Sequence, residues 1–186
     1  MRRIVKQLIG ESSYVGDFVA RSFIRSYKSK LKGELKQLKN LKSPCLLIDA
    51  VLKLAPSLAV HECIARIALE CAKLAVARVG NSDNRALLAS KIETAEGWLK
   101  AGNSGGKTYV PFVHATDTPY VDGAWHNACT TVLRIIGHGY KPDFVQFAKS
   151  AVTYTYEACS SSPDVRRTVL RVATEYIPYF DELCDD

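Results

Sequence analysis

From Ser57 to Val79 the chain reads SLAVHECIARIALECAKLAVARV, and this stretch decides the fold class. Glu62, Arg66, Glu70 and Lys73 fall at spacings of 4, 4 and 3, the period of an α-helix, and alternate in sign so that neighbours on one narrow face attract. Nearly every other position is apolar. A helix that is greasy round most of its circumference must bury more than one side, so the pattern predicts a central helix packed against two or more neighbours. Gly80 supplies the stop, and Asn81-Ser82-Asp83 supplies the next N-cap.

Working outward, proline and glycine punctuate further helices. Ser43-Pro44 opens a segment that runs through Leu54 and is closed by Pro56. A helix from about Asn84 to Lys100 ends at Gly102-Asn103-Ser104-Gly105-Gly106. Thr108 to Val113 looks β-like but contains Pro111, which predicts an irregular loop with at most a short strand. Thr118-Pro119 restarts a helix ending near Gly137-His138-Gly139, and Pro142-Asp143 begins another running to about Cys159. Within it Val152-Thr153-Tyr154-Thr155-Tyr156 has strand propensity, which opposes the helical reading. Ser162-Pro163-Asp164 caps a last helix that Pro178 kinks or ends. The expectation is an all-α, single-domain bundle over residues 1–186, of six or seven helices, with a Gly-rich irregular loop near 102–117. A chain of 186 residues that is 47% hydrophobic suits this, since one of that length buries roughly 70% of its unfolded surface.

The charge is lopsided. The first 42 residues carry seven Lys and four Arg against Glu11, Asp17 and Glu34, a balance of +8, whereas the whole chain sums to +6. A helix over about 17–40 places Arg21, Arg25, Lys28, Lys32, Lys36 and Lys39 in one stripe, because they are spaced 4, 3, 4, 4 and 3 apart. Like charges so stacked repel by roughly 0.2–0.5 kcal/mol per pair, which makes the stripe either a solvated face or a surface for a polyanion or a partner. Ile24, Tyr27, Leu31, Leu35 and Leu38 form the apolar face of the same helix.

Six cysteines, Cys45, Cys63, Cys71, Cys129, Cys159 and Cys184, are scattered without a Cys-x-x-Cys pair and without a signal peptide before them. They read as reduced thiols of a cytoplasmic protein. The longest apolar run, near Cys45 to Leu54, is interrupted by Asp49 and Lys53, so no membrane span is expected.

Three constellations touch on chemistry. Gly102 to Thr108 resembles a phosphate loop but has three residues where four are needed between the first Gly and Gly-Lys-Thr, and it follows a helix instead of a strand. His61-Glu62 opens a zinc-protease motif whose second histidine is replaced by Ala65, which leaves His61 as a boundary or core histidine. His114, Asp117, Asp122, His126 and Cys129 are the richest cluster. On a helix over 118–137, Asp122, His126 and Cys129 share a face at i, i+4 and i+7, and the loop could bring His114 and Asp117 near. Such groups suit a divalent metal or a histidine-carboxylate acid-base pair, although Asp117 serves equally as a helix cap. No cofactor motif is complete.

Cys71-Ala72, Asp83-Asn84-Arg85-Ala86 and the run Ile92-Glu93-Thr94-Ala95-Glu96-Gly97-Trp98-Leu99-Lys100-Ala101-Gly102 resemble the helical immunity proteins found beside polymorphic toxins and in phage genomes. In those, a helix bearing Cys/Ala-Ala is followed by an Asp-x-Arg turn and a helix ending in Trp and Gly. The resemblance implies an all-α fold with a binding role and no catalytic residues. The leading expectation is therefore a non-enzymatic interaction protein, of immunity or phage-associated kind, acting on a protein partner. The alternatives are a nucleic-acid-binding protein that uses the basic helix for weak, non-specific contacts, and a metal-dependent enzyme centred on His114 to His126. The same features admit a homo-oligomer.

Overall fold

The computed structural model describes residues 43–54, 60–137 and 143–176. Among them lie six helices and no strand: α1 (Pro44–Leu54), α2 (Val60–Val76), α3 (Ser82–Ala101), α4 (Pro119–Ile136), α5 (Phe144–Ala158) and α6 (Pro163–Tyr176). The expected basic helix over 17–40, His138, the region of Pro178 and Cys184 lie outside the described residues.

The fold is organised around α2, which touches each of the other five described helices. Its small and branched residues, among them Cys63, Ile64, Ile67, Ala68, Cys71 and Ala72, are completely buried, and the alanines let neighbouring helices approach closely. It ends at Val76, three residues earlier than the pattern suggests. Arg78 and Val79 continue with i→i+3 bonds to Ala75 and Val76, a tightened turn that uses up otherwise orphaned carbonyls.

The charged face of α2 does more than pair with itself. Glu70 meets Lys73 at 2.8 Å but also Arg171 of α6 at 2.7 Å, and Lys73 meets Glu96 of α3 at 2.6 Å. Arg66 lies 3.8 Å from Glu62, which accepts the Tyr176 hydroxyl at 3.0 Å. The stripe therefore ties α2 to helices on both sides. Burial pushes the Glu70 carboxyl up, but Lys73 and Arg171 outweigh it and hold it below its ordinary value. Burial works against the Lys73 ammonium in the same way, and Glu70 and Glu96 hold its pKa above normal.

α3 is an outer helix with a narrow buried stripe of Leu88, Ile92 and Ala95. It begins two residues before the expected start because Asn81 is the cap, its side chain accepting from the amides of Asp83 and Asn84. Gly102 ends it with a φ of 68°, a conformation that favours glycine. α4 and α5 form the most extensive pairing, and at Gly123 they come so close that an added Cβ would sit 2.8 Å from the Tyr154 ring. Burial of Val152 and Thr155 against the core keeps 152–156 helical despite their strand propensity. Ser160 and Ser161, both at positive φ, turn the chain into α6, where Ser162 caps the Asp164 amide.

Candidate functional site

Residues 102–118 contain neither helix nor strand. They are fastened across the bundle by polar contacts that decide the shape of one face. Gly105 and Gly106, at φ of 61° and 87°, carry a turn closed by the Ser104 hydroxyl donating to the Lys107 carbonyl at 2.6 Å. Beyond it, the Val110 carbonyl lies 3.0 Å from Nε2 of His126, and Val110 itself is buried. Phe112 stacks on the buried Trp125 at 6.4 Å and takes His114 and His126 edge-on at 4.7 and 5.0 Å. Asp122, without solvent exposure, accepts from the Ala115 amide at 3.3 Å and from the Thr116 hydroxyl at 3.2 Å.

Folded back in this way, the segment leaves a cleft of about 290 Å³ between itself and one flank of α3. Leu87, Lys91 and Trp98 line it from α3, Lys107 and Tyr109 from the segment, and Cys129 from α4. Among the described residues no carboxylate lines it. Among the described residues neither lysine has a carboxylate partner. Each instead rests on an indole, Lys91 Nζ at 5.5 Å from the Trp125 ring and Lys107 Nζ at 5.5 Å from that of Trp98. The rim is apolar and open, with Leu87 45% and Tyr109 66% exposed, and Phe112 three residues further on at 41%. A second recess, of about 260 Å³ between α2 and α3, differs in kind: it mixes Glu93 with Arg85 and Lys73, and Lys73 is already held by Glu70 and Glu96.

Cys129 does not make this cleft reactive. Burial pushes its thiol up to about 12, with Lys91 opposing weakly, and its Sγ donates to the Lys91 carbonyl at 3.7 Å. Cys63 is likewise raised to about 12 by burial, and Cys71 and Cys159 are raised as well. None of the five described cysteines is in a disulfide.

The residues singled out in the sequence are placed as follows. Arg21, Arg25, Lys28, Lys32, Lys36 and Lys39 lie outside the described residues. Asp122 and the largely exposed His114 do approach, with Nδ1 3.7 Å from Oδ2. His126 is turned to Val110, Cys129 to Lys91, and Asp117 is exposed while Thr118 stands at the start of α4 without a side-chain cap. Among the described residues no group of three or more His, Cys, Asp or Glu is arranged to hold a metal ion. Asp122 and His126 are thus loop anchors that build the wall of the cleft. His61 sits edge-on to Phe144 at 5.3 Å, a boundary histidine.

Lys91 and Tyr109 were not singled out, and Trp98 and Lys107 stood out only as parts of the family resemblance and of the incomplete phosphate loop. One signal was present on α3, where Leu87, Lys91, Thr94 and Trp98 recur at helical spacing on the flank of the buried stripe of Leu88, Ile92 and Ala95, about 100° round the helix from it. Among the described residues no helix is long and apolar enough to cross a membrane. Comparison with protein-family models, with curated proteins and with solved structures finds no match.

Proposed function

We propose that the chain is a non-enzymatic interaction protein and that the face formed by α3 and residues 102–118 meets an acidic segment of a protein partner. The observation that carries this reading is the exposure of Leu87, Tyr109 and Phe112 beside Lys91 and Lys107, two cations without a carboxylate partner among the described residues. Large side chains held out in water next to a recess can anchor an interface, and lysines so placed steer and orient an acidic partner. This suits the immunity or phage-associated role that the resemblance over residues 71–102 implies, in which a small helical protein acts by covering its target.

The test is differential capture from the cells that produce the chain. A partner that uses this face is retained by the wild type and by Glu157→Gln, a change on the exposed side of α5, and lost from the Leu87→Ala, Tyr109→Ala double variant. Equal retention by all three overturns the proposal.

The basic N-terminal stripe and the net charge of +6 favour a second reading, weak binding of nucleic acid without sequence preference. Replacing Lys28, Lys32 and Lys36 by Gln should then lower the slope of log affinity against log salt by about two to three. Binding that ignores both salt and the triple change removes it.

A further inference from the structure

We propose that the cleft between α3 and residues 107–111 is a site for an aromatic ring carrying a phosphate group, the ring taking the place of the Lys107 ammonium on Trp98 and the phosphate meeting Lys91 and Lys107. The inference concerns the same cleft as the interaction face but needs no protein partner, so the two fail separately.

Three observations carry it. The first is charge. Lys91 and Lys107 line one recess and, among the described residues, no carboxylate lines it, so the recess has two positive charges to neutralise and no described group that repels an anion. A phosphate dianion answers both lysines at once, and its oxygens can accept from the Ser90 and Tyr109 hydroxyls that also line the cleft. A carboxylate carries only half that charge.

The second is the way each lysine is stored. Both rest on indole faces. Trp125 is completely buried, so the ring under Lys91 is unavailable to a ligand, but Trp98 lines the cleft itself. A cation on an aromatic face near solvent is weakly held, and the four-carbon stem of lysine lets Lys107 swing aside. A planar ring can then stack where the ammonium was, while the displaced ammonium turns to the phosphate. The occupant that fills both vacated contacts is a ring and an anion in one molecule.

The third is size. About 290 Å³ is at the small end of ligand sites, which suits one aromatic ring system with one phosphate better than a polyphosphate or a dinucleotide. Two sources share this chemistry, a nucleoside monophosphate and a phosphorylated tyrosine side chain, and the probes below separate them.

The experiment uses the full chain with phenyl phosphate as the first probe. The chain has two tryptophans, and only Trp98 lines the cleft. Saturable quenching of tryptophan fluorescence is expected, absent in Trp98→Phe. Calorimetry should show Kd raised about tenfold in Lys91→Gln and in Lys107→Gln, the loss of one charge-assisted contact each, with no change in Lys100→Gln outside the cleft. Far-UV circular dichroism verifies that each variant is folded. Adenosine monophosphate binding tighter than phenyl phosphate assigns the nucleotide source, and O-phosphotyrosine binding tighter assigns the phosphorylated side chain; either supports the site. The proposal is overturned if phenyl phosphate gives no saturable signal, if inorganic phosphate or phenol binds as well as phenyl phosphate, or if Lys91→Gln and Lys107→Gln bind like the wild type.

Discussion

His126 Nε2 lies 3.0 Å from the carbonyl oxygen of Val110, so a side chain from the middle of α4 fixes the segment that walls the cleft. Four residues earlier on the same helix, Asp122 holds that segment a second time through the Ala115 amide and the Thr116 hydroxyl. The side of the face opposite α3 is set by these ties and not by a regular element.

The first prediction concerns the Asp122 tie. Asp122→Ala leaves the Ala115 amide without its acceptor in a buried place and should destabilise the protein by about 1–3 kcal/mol. Asp122→Asn keeps one oxygen acceptor and should cost less than half as much. Urea denaturation of both variants checks this, and equal losses would show that the charge, not the acceptor, matters.

Glu70 gives a pH dependence. Its folded pKa lies below the ordinary value of 4.5, so its pairing with Lys73 and Arg171 stabilises the fold above that value and is lost as pH falls through the folded pKa. Lys73 behaves in the opposite sense: its raised pKa gives stability that is present below 10.5 and disappears only as pH rises through the folded value. Glu70→Gln should therefore lower the urea midpoint near neutrality, and the gap to the wild type should close in acid below about 4.5. A gap that persists unchanged in acid would contradict the pairing.

At Gly123 the tight α4–α5 approach is testable by a double-mutant cycle. Gly123→Ala puts a Cβ 2.8 Å from the Tyr154 ring and should cost about 1–3 kcal/mol through overpacking. In a Tyr154→Ala background the same change should be neutral or stabilising, because alanine is the better helix former by about 1 kcal/mol. Additive effects would mean that the ring is not what glycine accommodates.

Thiol reactivity follows burial. Under native conditions at about pH 8, Cys63, Cys71 and Cys129 should alkylate far more slowly than the half-buried Cys45, because a thiol reacts as its thiolate and burial suppresses that form. Denatured without reductant, the chain should yield six alkylatable thiols, which peptide mapping counts.

Much of the helix order was legible because short-range punctuation set it: Asn81, Gly102, Pro119, Gly137 and Pro163 stand at the ends the sequence suggested. The charge pattern of α2 was legible as a stripe, but not as a tie between helices, since Arg171 lies 101 residues from Glu70. The same limit applies to the cleft. Asp122 and His126 stood out as polar residues at helical spacing, yet besides the Thr116 hydroxyl their hydrogen bonds go to the Ala115 amide and the Val110 carbonyl, backbone groups that no side-chain pattern records. Nothing in the sequence signalled that Lys91 would rest on Trp125 and Lys107, read there only as part of an incomplete phosphate loop, on Trp98, because both contacts need the segment folded back.

The most direct measurement of the central claim is carbodiimide coupling, which joins an amine to a carboxylate only where the two already touch, followed by mass-spectrometric mapping of the coupled lysines. The account predicts adducts between an acidic segment of the captured partner and Lys91 and Lys107. Coupling confined to Lys28, Lys32, Lys36 or other lysines away from the cleft would contradict it.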